Sequence, residues 1–284
     1  MIPSMRHDIS THDPRDVIRN IAPGEDGIWR TPGNSAVHYP EAGHDTCFGV
    51  EDASFWFAHR NRCIAAVVDR FPPPAGLPIV DVGGGNGYVA KMLHEKGLRT
   101  ILVEPGGSGV RNARARGLPE LVQASTEDLD FVPGSIGAIG LFDVVEHIPD
   151  DAATIRSLRR LLAPQGRIYA TVPAHAWLWS SADDHAGHQR RYSKRGITEL
   201  FLECGFEPSL VSYYFWPLPA PMLVKRVLLE RLAGKRDNAD RAKSEHGAAN
   251  RWIDRLLSPE EARLRRGKGV PMGASCIVVA TKRD

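Results

Sequence analysis

Cysteine is scarce in this chain of 284 residues, with four in all. Cys47, Cys63, Cys204 and Cys276 are scattered and form no C-x-x-C pair, which excludes a zinc ribbon and a disulfide scaffold. No uninterrupted apolar run approaches the length that crosses a bilayer. Residues 1–16 carry Arg6, His7, Asp8, His12, Asp13 and Arg15 without an apolar stretch, so no secretory signal is expected and the expected setting is reduced and cytoplasmic. Charge of one sign is also missing: the net charge is +2, which gives no electrostatic reason to expect a nucleic-acid partner. The local arginine groups (Arg111, Arg114, Arg116; Arg263, Arg265, Arg266) read as solvated faces. What remains is an ordinary soluble composition, 42% hydrophobic and 25% charged, in a chain long enough for one large core or two modest ones.

The most informative stretch is Ile79-Val80-Asp81-Val82-Gly83-Gly84-Gly85-Asn86-Gly87. Ile79, Val80 and Val82 are apolar β-formers in a short run, as a buried parallel strand requires. From Tyr88 onward Val89, Met92 and Leu93 fall at helical spacing. The glycines between allow positive φ and bring backbone N–H groups close to a ligand, with a helix N-terminus behind them. A P-loop needs Gly-Lys-Ser/Thr, but Gly87 is followed by Tyr88 and Val89. A dinucleotide fingerprint needs a closing glycine at position 88, which is tyrosine.

Asp81, Gly83, Gly85 and Gly87 do fit Asp-x-Gly-x-Gly-x-Gly, motif I of the class I S-adenosylmethionine-dependent methyltransferases, and the chain resembles that superfamily. Three later segments support the resemblance in order. Thr100 to Pro105 reads as a second buried strand ending in Glu104, a carboxylate able to accept both ribose hydroxyls. Leu121 to Leu129 resembles the loop that holds adenine, with Ser125, Thr126 and Glu127. Many relatives have aspartate where this chain has Ser125, so Glu127 is an alternative partner for the adenine amino group. Gly140 to Asp150 resembles the segment after strand four, where Phe142 and Asp143 would pass the methionine end of the cofactor. The resemblance implies an α/β, Rossmann-like fold: a mostly parallel seven-stranded sheet with an antiparallel last strand, helices on both faces, and N-terminal and C-terminal caps. The cofactor site it implies is Asp81, Gly83, Gly84, Gly85, Asn86, Gly87, Glu104, Pro105, Ser125, Thr126, Glu127, Phe142 and Asp143.

Two divisions are expected: residues 1–76, a loop and helix over the active site, and 77–284, the catalytic domain with an insert at about 217–272. Residues 1 to about 50 show no lasting periodicity and read mostly as loop, with Tyr39, His44 and Phe48 as candidates to touch substrate. A helix is expected from about Glu51 to Phe71. Phe55-Trp56-Phe57 before Arg60-Asn61-Arg62 resembles bacterial small-molecule enzymes of the methyltransferase-11/23-like group. There Trp56 would wall the cofactor cleft and Arg60 would pair with the methionine carboxylate. Strands are expected at 78–82, 99–104, 120–123, 136–142 and 166–172, with helices at 87–97, 107–115 and 150–163. Ser209–Trp216 reads as strand six and Ile277–Lys282 as an antiparallel strand at the sheet edge. Within the insert, Met222–Leu232 reads as a basic amphipathic helix, residues from Lys235 to Asn250 as a loop, and Arg251–Arg266 as a second helix.

In-line methyl displacement from a sulfonium asks the protein to position the acceptor, exclude water and remove a proton. Candidate bases are His185, His147, His188 and His175, since imidazole titrates near neutrality. His185 and His188 with Asp183 or Asp184 also form a ligand set for a metal, although the resemblance implies none is needed without a catechol-type substrate. For Arg191 and Tyr192 the plain reading is loop stabilisation. The expected partner is a small-molecule methyl acceptor, with S-adenosyl-L-homocysteine as the second product and a monomer or homodimer as the assembly. Asn-Pro-Pro-Tyr and Asp-Pro-Pro-Tyr signatures of nucleobase or glutamine amide methylation are missing, and the histidine bases with an aromatic-rich cover favour a hydroxyl or amine on a small, partly flat or apolar molecule. A lipid-like or polyprenyl acceptor at a membrane, and a cofactor-binding module without turnover, stay open.

Overall fold

The structure is a computed structural model, and it describes residues 13–31, 41–219 and 249–283. Tyr39, the Met222–Leu232 segment and the greater part of the expected 235–250 loop lie outside the described residues.

Five short parallel strands form the centre of the sheet: β3 (Ile79–Val82), β4 (Thr100–Val103), β5 (Glu120–Gln123), β6 (Ile136–Phe142) and β7 (Leu162–Pro173). Helices α3 (Tyr88–Glu95), α4 (Gly107–Ala115) and α5 (Asp151–Arg159) connect them. Beyond β7 come α6 (Ser181–Ala186), α7 (Lys194–Glu203), β8 (Phe206–Tyr214), α8 (Ala249–Arg265) and β9 (Ser275–Lys282). Successive side chains of a strand point to opposite faces, and the two cores follow that alternation. Val80, Val82, Ile139, Leu141, Ile168 and Val278 pack with Ile155 and Leu158 of α5 and Ile197 and Phe201 of α7. Ile79, Ala138, Tyr169 and Val279 pack with α8 and with α2 (Phe55–Arg70), which precedes β3.

The expected α/β class holds, with differences in detail. Among the described residues the sheet has nine strands, because β1 (Ala22–Pro23) and β2 (Trp29–Arg30) extend it beyond β5, where β2 pairs parallel. The described part of the first fifty residues thus carries these two strands and most of a helix, α1 (Glu41–Glu51), where loop was expected. The expected 51–71 helix begins only at Phe55, since Ser54 takes an extended conformation at its N-cap. The 150–163 helix stops at Arg159, and β7 starts early at Leu162 and bends at Gln165, where φ is 61°. Strand six runs from Phe206 to Tyr214 rather than from Ser209 to Trp216, ended by Phe215 at a φ of 62°.

The last strand is antiparallel, as expected, but it is not at the edge. β9 lies between β7 and β8 and pairs with both. Its residues from Ser275 to Ala280 are all buried, whereas β8 alternates buried and more exposed positions, the pattern of an edge strand.

A buried carboxylate joins α8 to α2, beside the more exposed Arg62–Glu261 and Arg265–Asp69 ion pairs. Glu260, buried, accepts the Phe215 and Trp216 backbone amides at 2.7 Å each and pairs with His59 Nε2 at 2.5 Å. Glu260→Ala leaves two buried amides and an imidazole without their acceptor, and is expected to cost about 3 kcal/mol in urea unfolding. Glu260→Gln, which keeps an acceptor oxygen, should cost less.

Candidate functional site

The ends of β3 and β4 are joined by a side chain. Glu104, one residue past β4 and buried, accepts the Gly85 N–H at 3.0 Å on Oε2 and the Gly106 N–H at 2.6 Å on Oε1. Reaching Glu104 requires the loop to turn sharply, with φ of 65° at Gly83, 52° at Gly85 and 73° at Gly87. A Cβ at Gly87 would also approach Leu118 to 2.6 Å and Ala113 to 2.8 Å, so glycine lets α3 start hard against α4. At Gly85 an added Cβ would meet only the His44 ring, 3.6 Å away. Burial raises the Glu104 carboxyl above its ordinary value, and the Gly106 amide, His44 and the Gly85 amide oppose that rise.

Helix α1 lies over this loop. Asn86 donates through Nδ2 to the His44 carbonyl at 2.8 Å and to Glu51 Oε1 at 3.1 Å. Asn112 of α4 donates to Asn86 Oδ1 at 3.0 Å and to Asp45 at 3.1 Å. Arg116 pairs with Glu51 and Asp52 at 2.8 Å each, and its guanidinium covers the rings of Phe48 and Tyr88. The result sets His44 Nε2 3.7 Å from Glu104 Oε1. Of the expected substrate contacts, His44 therefore faces Glu104 and Phe48 lies beneath Arg116. Glu51, Asn112 and Arg116 were missed by sequence reasoning, because their link to the glycine loop arises only once α1 folds back over α4.

Past β6 the chain turns with Asp143 at a φ of 58°. Its carboxylate accepts the Thr171 hydroxyl at 2.9 Å and pairs with Arg60 Nε at 2.8 Å. Arg60 also donates to the Phe142 carbonyl at 2.9 Å. The expectation that Arg60 meets a cofactor carboxylate is thus modified: its guanidinium is engaged by Asp143 and by the end of β6. Trp56 stacks on Phe215, with centroids 3.8 Å apart. Ser125, two residues past β5, stands at the N-cap of a short turn, Thr126–Asp128, with Ser125 and Thr126 half-buried and Glu127 exposed. Pro105 follows Glu104, half-buried.

The four candidate histidines do not share one place. His147, in the turn Val145–His147 after β6, meets His188 edge-on with centroids 4.9 Å apart. His175, at a φ of 62°, stacks between Trp177 and Tyr213 at 5.0 and 4.8 Å. His185 is exposed on α6 and does not join the His147–His188 pair. Burial lowers His147, and His188 adds to that; burial also lowers His175. Glu146, His147 and His188 each place one ligand atom within 4.8 Å of the others, so this trio, rather than one built on His185, has metal-ligand geometry. Arg191 and Tyr192 knit the loop together: Arg191 pairs with Asp183 at 2.7 Å, and the Tyr192 hydroxyl donates to Asp151 at 2.7 Å.

Asp81 is buried beneath the glycine loop, and neither of its oxygens has a well-formed hydrogen bond. Burial pushes its carboxyl from 3.8 up to about 7, against the pull of Arg60 and with Glu104 adding to the rise. The unfolded chain therefore releases this proton first. The contribution to stability is full below about pH 4 and falls as pH rises toward 7, by at most roughly 4 kcal/mol. Asp81→Asn is expected to remove a large part of the stability lost between pH 5 and pH 8, read from urea midpoints at the two pH values.

Residues 56–211, more than half of the chain, match a family model described as a methyltransferase domain. The chain is 34% identical over 104 residues to the ubiquinone biosynthesis O-methyltransferase of Xanthomonas oryzae pv. oryzae (strain PXO99A), covering 34% of this chain and 44% of that one. It is 25% identical over 172 residues to a protein of Mycolicibacterium smegmatis named as an S-adenosylmethionine-dependent methyltransferase, covering 59% and 65%. The matches thus span between about two fifths and two thirds of those relatives. Among solved structures, the complex of the Haloferax volcanii Trm112 methyltransferase activator with a methyltransferase superposes with a TM-score of 0.59 at 18% identity, covering 88% of this chain and 100% of that one. Phosphoethanolamine N-methyltransferase 2 of Haemonchus contortus, solved with S-adenosyl-L-methionine, gives 0.55 at 17% identity, covering 86% and 58%. At such identities the structures establish the fold, while the family match establishes descent: the chain belongs to the methyltransferase-domain family of the class I S-adenosylmethionine-dependent superfamily.

Proposed function

We propose that this protein methylates a hydroxyl or amine of a small, partly aromatic or apolar acceptor, using S-adenosylmethionine. The observation that carries the reading is Glu104: a buried carboxylate oriented by amides from two loops at the carboxyl ends of adjacent parallel strands, where ligands of such sheets bind. The residues fit an adenosyl group. Gly85 leaves its outer side open except for the His44 ring, and Asp81, Glu104 and Asp143 make the surroundings acidic, which suits a cationic cofactor. Bound S-adenosylmethionine supplies the electrophilic methyl carbon.

In this reading the Gly83–Gly87 loop with Asp81 and Asn86 holds the methionine and ribose side. Glu104 and Pro105 face the ribose, Ser125, Thr126 and Glu127 the adenine, and Phe142 and Asp143 the methyl end. Arg60 orients Asp143, and Trp56 walls the cleft through its stack on Phe215. Helix α1 covers the cofactor and excludes water, and the insert around α8 closes the acceptor side, so residues 1–76 act as cover and 77–284 as the catalytic domain. Likeness to the ubiquinone biosynthesis O-methyltransferases favours oxygen over nitrogen as the acceptor atom.

One observation supports a more lipid-like acceptor. Trp177, Trp216 and Met272 are large, exposed and apolar. They lie past β7, past β8 and before β9, which puts all three near the same edge of the sheet as Glu104. Among the described residues no helix is long and apolar enough to cross a membrane; the variant proposed is contact of this apolar edge with a bilayer surface. Liposome flotation checks this, and no association with anionic or neutral vesicles removes the membrane variant.

Calorimetry with S-adenosylhomocysteine tests the main reading. Micromolar affinity is expected, weakened at least tenfold by Glu104→Ala, about 1.4 kcal/mol or more. No binding by the unaltered chain at high micromolar concentration would overturn it. Binding without product across a panel of phenols, catechols and amines would favour a module without turnover.

A further inference from the structure

Asp183 is buried although it lies in the first turn of a short helix, α6, whose neighbouring Asp184 and His185 are exposed. Its carboxylate is saturated with donors. Oδ1 accepts His188 Nδ1 at 2.8 Å and Arg191 Nε at 2.7 Å; Oδ2 accepts Arg191 Nη2 at 3.0 Å and the Ser180 backbone N–H at 2.9 Å. Arg191 is itself fixed, donating through Nη1 to the Ala174 carbonyl just past β7 at 3.0 Å. The Arg191 guanidinium and the Ser180 amide can only donate, so both oxygens of Asp183 act as acceptors, as in an ionised carboxylate paired with arginine.

An ionised carboxylate on Nδ1 can only accept. Nδ1 must therefore carry the ring proton, and in the neutral imidazole the lone pair is on Nε2. The backbone fixes where that ring stands. His188 N–H donates to the Asp183 carbonyl at 3.0 Å, and Gln189 N–H donates to the Glu146 carbonyl at 2.8 Å. The imidazole is thereby held against the turn after β6, edge-on to His147 and near Glu146. His185, by contrast, is exposed, and His175 is sandwiched between aromatic rings.

We propose that Asp183 is a positioning residue that makes Nε2 of His188 the proton acceptor for a phenol-type hydroxyl, with Arg191 holding Asp183 in place. The proposal rests on the methyltransferase reading above and narrows it to acceptors that still hold their proton at neutral pH, as a phenol does with a pKa of about 10. As the acceptor oxygen bonds to the methyl carbon and the carbon–sulfur bond breaks with its electron pair on sulfur, the hydroxyl proton passes to Nε2. The imidazolium so formed is stabilised by the Asp183 carboxylate, and its proton is later lost to water.

Two measurements test this. Long-range 15N–1H imidazole spectra of the free protein, with His188→Gln to assign the signal, read the tautomer directly. The Nδ1–H form is expected in the unaltered chain, and its loss or mixing with the Nε2–H form in Asp183→Asn. In steady-state assays over a panel of phenols and catechols, Asp183→Asn and His188→Gln should each lower kcat by roughly 100-fold or more. KM for S-adenosylmethionine should stay within about twofold, and the double variant should be no worse than the single ones. An Nε2–H tautomer in the unaltered chain would overturn the proposal. So would either variant keeping kcat within about threefold while only its Tm falls. Loss of turnover on dialysis against EDTA, restored by a divalent cation, would reassign Glu146, His147 and His188 to a metal. The spectra need neither cofactor nor acceptor, so they decide the point even where no phenol turns over. Failure to bind S-adenosylhomocysteine would instead strike at the methyltransferase reading alone.

Discussion

Three carboxyl groups, on Asp81, Glu104 and Glu146, are buried at the carboxyl edge of this sheet, with Arg60 as the cation nearest to Asp81 and Glu146. Taking a carboxylate out of water is costly unless it is paired or hydrogen-bonded. Glu104 meets that demand with two backbone amides. Asp81 and Glu146 do not meet it with protein partners of good geometry, and burial drives both toward the protonated form. Acids so perturbed cluster at the end of the strands where open α/β sheets bind ligands, which is the ground of the site proposed above.

Backbone strain gathers in the same region. Of the four non-glycine residues with positive φ among those described, Asp143, His175 and Phe215 lie just past β6, β7 and β8. Each redirects a chain that would otherwise run straight off the sheet. Asp143 is turned toward Arg60, His175 into an aromatic stack, and Phe215 so that its amide reaches Glu260. Residues held in a sparsely populated region cost of order 1–3 kcal/mol each and persist only where surrounding contacts over-determine them. Here those contacts are specific: an ion pair, a ring stack and a buried carboxylate.

Much of this was readable in the chain. The five central strands could be placed from short apolar runs, and their ends from glycine or an acid, because buried parallel strands leave a continuous signature. The glycine loop and Glu104 followed from spacing. Helix α1 did not, since its stability comes from Arg116, Asn112 and Asn86 reaching it from elements far along the sequence rather than from its own periodicity. Likewise Asp183 stands beside Asp184 in the sequence with nothing local to separate them, yet one is saturated with donors and buried while the other is exposed.

Local sequence by itself determined the resemblance to the family, the order of the five central strands and the helices between them, and the glycine turn after β3, because these depend on a short motif, on backbone conformation and on hydrophobic runs a few residues long. Tertiary structure decided the rest. It put the last strand inside the sheet, brought His44 to Glu104, gave Arg60 to Asp143, and chose His188 rather than His185 as the histidine with a carboxylate behind it. Those outcomes depend on pairs distant in the chain or on which side of a short helix faces inward, and neither is encoded in any single stretch of residues.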